Sequence, residues 1–558
     1  MRELVKRFKR FFAFAALFSF VLNMLMLAPS VYMLQIFDRV VTGRSEETLA
    51  MLTIGVLPAL VMMALLELLR GRLLVACGAA IDRAVGPRVL EGVIAHTARM
   101  SAGEYVHGLR DVQTLRSFLT GTGIFAMFDA PWLPLFVALI WLFHPLLGVV
   151  AVTGAIIMVA LAVLNERATR APLERVQSES RRASRYIDAA VRNAEVVSAL
   201  GMLPAVTRRW GSLNDAVLRM QIESNSVGKG ISGLTRFTRQ AIQIAMVGTG
   251  AWLIVAQHVT PGVMLATTLI LGRALQPVES LVANWKGLVE ARAAWRRLEA
   301  LLASQPPAAP STELPAPRGE LVAERIVFGL RGSERPIIRG VSFALPAGEA
   351  LGMIGPSAAG KTTLARLLVG VWKPNSGAVR LDGADVASWP RERLGPYIGY
   401  LPQDVELFSG TVAENIARLG EVDSQAVIAA AQRAHVHELI LRLPKGYDTE
   451  VGEGGSALSP GQRQRIGLAR ALYGEPRLVL LDEPNANLDH DGDAALMHTL
   501  QELKEAAITV VIIAHRPSLL GGVDKLLVLQ EGAVEMFGPR QEIMARVTRR
   551  APPARGVA

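Results

Sequence analysis

The chain carries a single cysteine, Cys77, in 558 residues. That excludes an intramolecular disulfide and any cysteine-rich metal site, and a lone thiol in a helical stretch reads as a small apolar filler. Charge is scarce too: Asp, Glu, Lys and Arg supply 19% of residues, against 51% hydrophobic ones, and mean hydropathy is +0.33. This composition points to membrane spans sharing the chain with something soluble. Acidic residues fall short of basic ones, leaving a formal charge of +10. The excess arginines crowd beside apolar stretches, as in cytoplasmic loops of membrane proteins, so no nucleic-acid partner is expected. The length exceeds one ordinary core, so at least two domains are expected.

Six apolar stretches lie near 11–35, 49–66, 130–143, 146–164, 240–256 and 263–283, predicting an all-α, six-helix transmembrane domain over residues 1–302. Arg2, Lys6, Arg7, Lys9 and Arg10 precede the first stretch. A cleaved signal peptide begins similarly, but the run is long and further spans follow, which favours an uncleaved first helix. The connections near 36–48, 144–145 and 257–262 are short and poorly basic. Those near 67–129 and 165–239 hold Arg70, Arg72, Arg83, Arg88 and Arg99 in one, and Arg181, Arg182, Arg185, Arg208 and Arg209 in the other. The positive-inside bias places both long connections, and both termini, in the cytoplasm. Their composition is helical, so membrane helices are expected to continue into the cytoplasm as antiparallel pairs, with tips around Ser101–Gly108 and Gly201–Gly211 as candidate coupling elements. Asn23 and Glu67 have two readings each: both can face a translocation path, or Asn23 bonds a neighbouring helix and Glu67 sits at a membrane boundary.

The proline-rich segment 303–317 reads as a linker, residues 318–545 as an α/β domain, and 546–558 as a disordered tail. Within the α/β domain, Gly355-Pro-Ser-Ala-Ala-Gly360-Lys361-Thr362 follows an apolar strand and opens a helix. Such a loop turns backbone N–H groups toward phosphate oxygens at the positive end of the helix. Candidate ATP contacts here are Gly355, Ser357, Gly360, Lys361, Thr362 and Thr363, with Lys361 on the β and γ phosphates and Thr362 on Mg²⁺. The run Leu478-Val-Leu-Leu-Asp482-Glu483 reads as a buried strand ending in two carboxylates. Asp482 would hold Mg²⁺ and Glu483 would polarise the attacking water. In Leu458-Ser459-Pro460-Gly461-Gln462, Ser459 fits a helix N-cap and Pro460 the first helical position; taken alone, this is an ordinary capped helix.

The phosphate loop, the LSPGQRQRIGLARAL run, the LLDEP strand and His515 in IIAHR, in that order over residues 320–540, resemble the ABC ATPase family. The resemblance implies two such domains stacked head to tail, hence a homodimer. It implies that Ser459, Gly461 and Gln462 meet the partner's ATP, that Gln403 in YLPQD links Mg²⁺ and water to the membrane domain, and that His515 steadies the γ-phosphate. Asp489 in NANLD is the implied dimer-contact aspartate, and TEVGEGG (449–455) the implied exporter-type loop that meets coupling helices. Two departures stand out. Pro460 occupies a place the family usually gives to glycine, removing a backbone donor. Aligned on Gly332, Leu330 stands where an adenine-stacking aromatic is common, with Phe328 nearby, which implies weaker base stacking.

The segments APSVYMLQIFDRV, FDAPWLPLF, FHPLLG, WKPNSGAVRLDGADVASW, GYLPQDVELFSGTVAENIAR and LDEPNANLD, which includes Asn485, resemble type I secretion ATPases of the protease-exporter kind. That resemblance implies a multi-pass inner-membrane motor, in contact with membrane lipids, that hydrolyses ATP with Mg²⁺. It also implies an unfolded polypeptide substrate with a C-terminal signal, a periplasmic adaptor and an outer-membrane channel protein. About ten residues precede the first span, so no N-terminal peptidase domain and no leader cleavage are expected. An exporter of lipids or small apolar molecules would share the layout. A soluble ABC ATPase acting on DNA or ribosomes would lack the spans, and a non-hydrolysing regulator would be expected to lose Lys361, Glu483 or His515.

Overall fold

The computed structural model describes residues 2–99, 108–304, 314–330, 335–514 and 516–550. The chain divides into two compact units at the Pro306/Pro307 boundary.

The described part of the first unit is built of helices: α1 (Arg2–Leu25), α2 (Ala28–Gln35), α3 (Val41–Gly43), α4 (Glu46–Arg99), α5 (Gly108–Thr120), α6 (Thr122–Asp129), α7 (Leu133–Phe143), α8 (Pro145–Arg192), α9 (Ala194–Ala199), α10 (Leu203–Val255), α11 (Pro261–Ala283) and α12 (Trp285–Ala303). By length and composition, Phe8–Gly43, Glu46–Ala98, Thr122–Phe143 and Pro145–Arg192 can each cross a membrane. The fifth and sixth expected stretches are helical as well, inside α10 and α11, but Gln240, Gln243, Arg273 and Gln276 dilute their apolar character. The first span is interrupted after Leu25, where Pro29 lacks the N–H that would continue the ladder, and it resumes as α2.

The expected short connection 36–48 is a correction: Ile36–Val40 forms a π-helical turn leading into α3, which leaves only Arg44 and Ser45 between helices. There Asp38 accepts from the Thr260 hydroxyl at 2.7 Å and the Gly262 amide at 3.0 Å, satisfying orphan donors at the start of α11. The long connections are helical, as their composition predicts, with α4, α8 and α10 spanning 54, 48 and 53 residues. The tip expected over Gly201–Gly211 narrows to Leu200–Met202. Gly201 takes φ +64° there, and Gly211 lies inside α10. The other tip, residues 101–107, lies outside the described residues, as do residues 305–313 of the expected linker.

Helices α7, α8, α10 and α11 share a core of Phe136, Ile140, Met158, Met246 and Leu271. Small residues allow the close approach: a Cβ on Gly154 would stand 2.7 Å from Ile242, and one on Gly250 would stand 2.5 Å from Met264. Large apolar side chains also face outward, Met51 at 74% exposure and Leu142 at 83%, a surface suited to lipid. Cys77 is fully buried, in keeping with its role as filler.

Asn23 and Arg70 carry the clearest lesson of this unit. Asn23 donates to the Ser19 carbonyl at 2.7 Å and to Asp129 at 3.2 Å. Arg70 donates to the Ser19 hydroxyl and to Asp129, both at 2.8 Å, and its guanidinium lies over the Phe125 ring. Arg70 is thus not a surface-loop cation but one pole of a buried ion pair joining α4 to α6. Asn23 takes the neighbour-bonding reading. Glu67 is exposed.

The second unit is α/β. Its strands are β1 (Leu321–Phe328), β2 (Ile338–Leu345), β3 (Ala350–Ile354), β4 (Ser376–Leu381), β5 (Ala384–Asp385), β6 (Ile398–Leu401), β7 (Leu478–Asp482), β8 (Thr509–Ile513), β9 (Lys525–Gln530) and β10 (Ala533–Pro539). Its helices are α13 (Lys361–Leu368), α14 (Arg391–Leu394), α15 (Val412–Ile416), α16 (Ser424–Arg433), α17 (His437–Leu441), α18 (Pro460–Leu472), α19 (His490–Glu505) and α20 (Arg540–Arg550).

One sheet runs β10-β9-β3-β8-β7-β6, parallel except for β10; the other is antiparallel, β2-β1-β4-β5. Strands β7 and β8 are buried at every position, as a parallel sheet covered on both faces requires. Alternation along β7 sends Val479 and Leu481 into a core shared with Ile466 of α18. Leu478 and Leu480 join Leu364 and Leu367 of α13 on the other face. The tail expected from residue 546 is corrected: α20 continues to Arg550, anchored by buried Ile543, and residues 551–558 lie outside the described residues.

Candidate functional site

The site gathers at the C-terminal ends of β3 and β7. The loop after β3 is shaped by its glycines. A Cβ on Gly355 would fall 2.2 Å from the Leu529 carbonyl oxygen, and Gly360 adopts φ +97° as the N-cap of α13. Ala358 also takes positive φ, +64°, a conformation seldom adopted by a residue with a side chain. The backbone path is therefore over-determined by its surroundings, as a phosphate cradle requires. Ser357 is exposed at the loop tip, and Thr362 and Thr363 are half-buried in the first turn of α13. Lys361 is buried, its ammonium donating to the carbonyls of Gly355 at 2.8 Å and Pro356 at 3.0 Å. Burial lowers its pKa below the ordinary lysine value, with Glu483 and Asp482 pulling it back up.

At the end of β7, Asp482 is fully buried, and neither of its carboxylate oxygens has a hydrogen-bond partner of normal geometry. Burial raises its pKa above the usual carboxylate value; the Thr362 hydroxyl counters this, Glu483 adds to the rise, and Arg366 and Lys361 lower it. A buried charge without partners is costly, and a bound cation would offset that cost. Among the described residues no group of three His, Cys, Asp or Glu could hold a metal. Asp482 and Thr362 instead offer two hard oxygen donors beside a phosphate cradle, which fits an octahedral cation completed by phosphate and water.

Glu483 continues the strand ladder through its amide to the Ile513 carbonyl, then turns to φ +48°. Its carboxylate accepts from Gln403 Nε2 at 3.0 Å. Two residues far apart in sequence are thereby brought into contact, a pairing that sequence reasoning did not foresee. His515 lies outside the described residues, as does Gly332.

Helix α18 starts with a reciprocal cap. Ser459 Oγ accepts from the Gln462 amide at 3.2 Å, and Gln462 Oε1 accepts from the Ser459 amide at 2.9 Å. Pro460 occupies the first turn, where its missing N–H costs no helical bond. Ser459 and Pro460 are exposed, while a Cβ on Gly461 would stand 2.8 Å from the Asn487 carbonyl. Asp489 caps α19, accepting from the Gly492 amide at 2.8 Å.

Sequence reasoning missed Gln464. It is buried, donates to the Glu483 carbonyl at 3.2 Å and accepts from the Asn487 amide at 3.0 Å, tying α18 to the turn after β7. Its signal was legible: it falls in helical phase with buried Leu468 and Ala471. Phe328 is buried and stacked on Trp372 with ring centroids 5.0 Å apart, so it belongs to the core. Leu330 is 45% exposed.

Comparison with known proteins agrees with this geometry. A family model for the ABC transporter transmembrane region matches residues 12–278, and one for the ABC transporter matches residues 338–486. The type I secretion system ATP-binding protein PrsD of Rhizobium meliloti (strain 1021) is 41% identical over 533 residues, 95% of this chain and 92% of that one. The cyclolysin secretion/processing ATP-binding protein CyaB of Bordetella pertussis (strain Tohama I) is 29% identical, covering 95% of this chain and 75% of its own length. The leukotoxin export ATP-binding protein LtxB of Aggregatibacter actinomycetemcomitans is 26% identical, over 97% and 77%. The fold matches that of a bacterial Atm1-family ABC exporter solved with ATP bound, at a TM-score of 0.82 and 24% identity over 98% of this chain and 99% of that one. Helical membrane unit, phosphate cradle and paired strand-end acids together place this chain in the ABC transporter family, as an exporter-type ATPase akin to type I secretion ATP-binding proteins.

Proposed function

We propose that this protein is the inner-membrane motor of a type I secretion system, working as a homodimer that moves an unfolded polypeptide, marked by a C-terminal signal, out of the cytoplasm. The observation that carries the ATPase half is the Gln403–Glu483 hydrogen bond beside the unpartnered, buried Asp482. The polypeptide half rests on the names of the relatives, which are secretion, leukotoxin-export and cyclolysin-secretion proteins, and on the 95% coverage of this chain. A periplasmic adaptor and an outer-membrane channel protein are the partners such a motor needs.

The chemistry follows from the residues. The phosphate loop and Lys361 hold the β and γ phosphates, with Ser357, Thr362 and Thr363 on the cradle side. Thr362, Gln403 and, through water, Asp482 would hold Mg²⁺, which would supply positive charge against the phosphates. Glu483 orients the attacking water and accepts its proton, Gln403 fixes the orientation of Glu483, and His515 steadies the γ-phosphate. Ser459 and Gly461, at an exposed helix start, suit an ATP presented by a second copy; there Pro460 has no donor and the cap holds the Gln462 amide, so the Gly461 amide is the first-turn donor for a phosphate. Asp489 follows Asn487, whose carbonyl packs against Gly461, by two residues, which suits it to serve both as cap and as dimer contact.

The test is the Glu483→Gln variant in proteoliposomes. It should bind ATP as the parent does while losing hydrolysis and ATP-dependent movement of a polypeptide fragment by about 10²–10⁴-fold. Hydrolysis near the parent rate would remove Glu483 from the role.

A further inference from the structure

Away from the nucleotide, a cavity of about 300 Å³ in the helical unit is polar and charged, and it opens between α5, α8, α10 and α12. A second cavity of about 190 Å³ adjoins it and shares Leu173, Ser224, Asn225 and Lys286, so the two form one continuous groove. The groove lies along the polar ends of α8 and α10, beyond the apolar parts of those helices near 146–164 and 240–256.

Four basic residues line it, Arg110, Arg181, Lys286 and Arg297, against two acids, Asp111 and Glu290. Asp111 is already engaged, gripped in two-point fashion by Arg297 at 2.8 and 2.6 Å. With Asp111 so engaged, Arg110, Arg181 and Lys286 share the groove with one further acid, Glu290, so its lining carries net positive charge.

A second, independent observation points the same way. Ser224 is 4% exposed, lines both cavities, and its hydroxyl has no hydrogen-bond partner among the described residues. A helical serine or threonine ordinarily donates back to the preceding turn, as Thr169 and Thr235 do here. An unsatisfied buried hydroxyl at the floor of a cationic groove is a ligand contact waiting for an acceptor.

We propose that this groove binds carboxylate side chains of an acidic stretch of polypeptide, Arg181 and Lys286 pairing with the carboxylates and Ser224 donating to one of them or to the peptide carbonyl. Gln177, Gln221 and Asn225 supply donors and acceptors for the peptide backbone. Apolar lining is limited to Leu173, Val176 and Val217 in the larger cavity, with Val282, Ala283 and Trp285 added in the smaller, and the charged residues sit mainly in the larger, which favours a polar, charged occupant there over an acyl chain. The proposal deepens the polypeptide-export reading and rests on it.

The experiment uses the full chain in lipid nanodiscs and a short fluorescent peptide alternating Asp and Ser, with an Asn/Ser peptide of equal length as the neutral partner. The acidic peptide should bind at least about tenfold more tightly than the neutral one, with affinity falling as salt rises. Arg181→Glu should remove that preference, Arg181→Lys should keep most of it, and Ser224→Ala should weaken binding by a smaller factor. Thermal unfolding of each variant shows that it is folded. If Arg181→Glu does not fold, Lys286→Gln carries the same test. Equal binding of both peptides by the parent, or an acidic preference untouched by folded Arg181→Glu or Lys286→Gln, overturns the groove while leaving the export reading intact. Displacement of the acidic peptide by inorganic phosphate or anionic vesicles at concentrations below its own would assign the groove to another anion and also overturn it. Conversely, a motor whose hydrolysis ignores every polypeptide, yet whose groove prefers the acidic peptide, would sink the export reading alone.

Discussion

The two units bury charge in opposite ways. In the helical unit, Arg70, Asn23, Ser19 and Asp129 meet one another, so the buried arginine is paired through Nη1 with a half-buried aspartate and only its Nε is left without a partner. In the α/β unit, Asp482 is equally buried and left open, both oxygens unpartnered. A closed polar cluster fixes the packing of helices, and breaking it costs stability. An open one costs stability as it stands, and it is held in place by the strands around it until a ligand arrives. The distinction separates architecture from chemistry more sharply than burial or charge alone.

Breaking the closed cluster gives the largest expected stability change. Asp129→Ala leaves Arg70 buried without its carboxylate and should cost about 3–5 kcal/mol, read as early thermal unfolding of the lipid-embedded protein. Replacing both Arg70 and Asp129 by leucine should recover most of that loss, because the pair then leaves no orphan. If Asp129→Ala unfolds with the parent, the cluster is not closed in the sense argued.

The open carboxylate is probed by pH. Asp482 holds a raised pKa, and a cation binds only its ionised form, so protons compete as pH falls through that raised value. Mn²⁺–ATP affinity, followed by electron paramagnetic resonance, should therefore begin to fall at higher pH than an exposed aspartate would give. Asp482→Asn should flatten the profile and lower affinity by about tenfold or more. An unchanged profile in that variant would move the cation elsewhere.

The smallest effect belongs to the cap. Ser459→Ala should destabilise the α/β unit by about 1 kcal/mol, and Ser459→Asn, which can still cap, by less. Equal losses in the two variants would show that the hydroxyl contributes something other than the cap.

The same contrast explains what the sequence disclosed. The nucleotide site was legible because its parts are local and chemically constrained. Glycines at 355 and 360 sit where a Cβ or a negative φ is not tolerated, two acids end a wholly apolar strand, and a serine precedes proline at a helix start. Spacing alone could not bring Gln403 to Glu483, since 80 residues separate them; the family resemblance marked Gln403 as a site residue, but its bond to Glu483 emerges only in the fold.

In the helical unit, length and composition located the helices, but partners across helices leave no local trace. Arg70 looked like one loop arginine among many, yet the acid it pairs with lies 59 positions away. The tail was misjudged for a related reason: its apolar signal, Ile543, Met544 and Val547, spans barely one turn before the basic run begins.

The measurement that bears most directly on the whole account is ATP hydrolysis by the lipid-embedded protein, titrated with C-terminal fragments of candidate secreted polypeptides. The account predicts a saturable change in rate that vanishes when the terminal segment of the fragment is removed. Hydrolysis indifferent to every fragment but responsive to lipids or small apolar compounds would contradict it, and would leave an exporter of those molecules in its place.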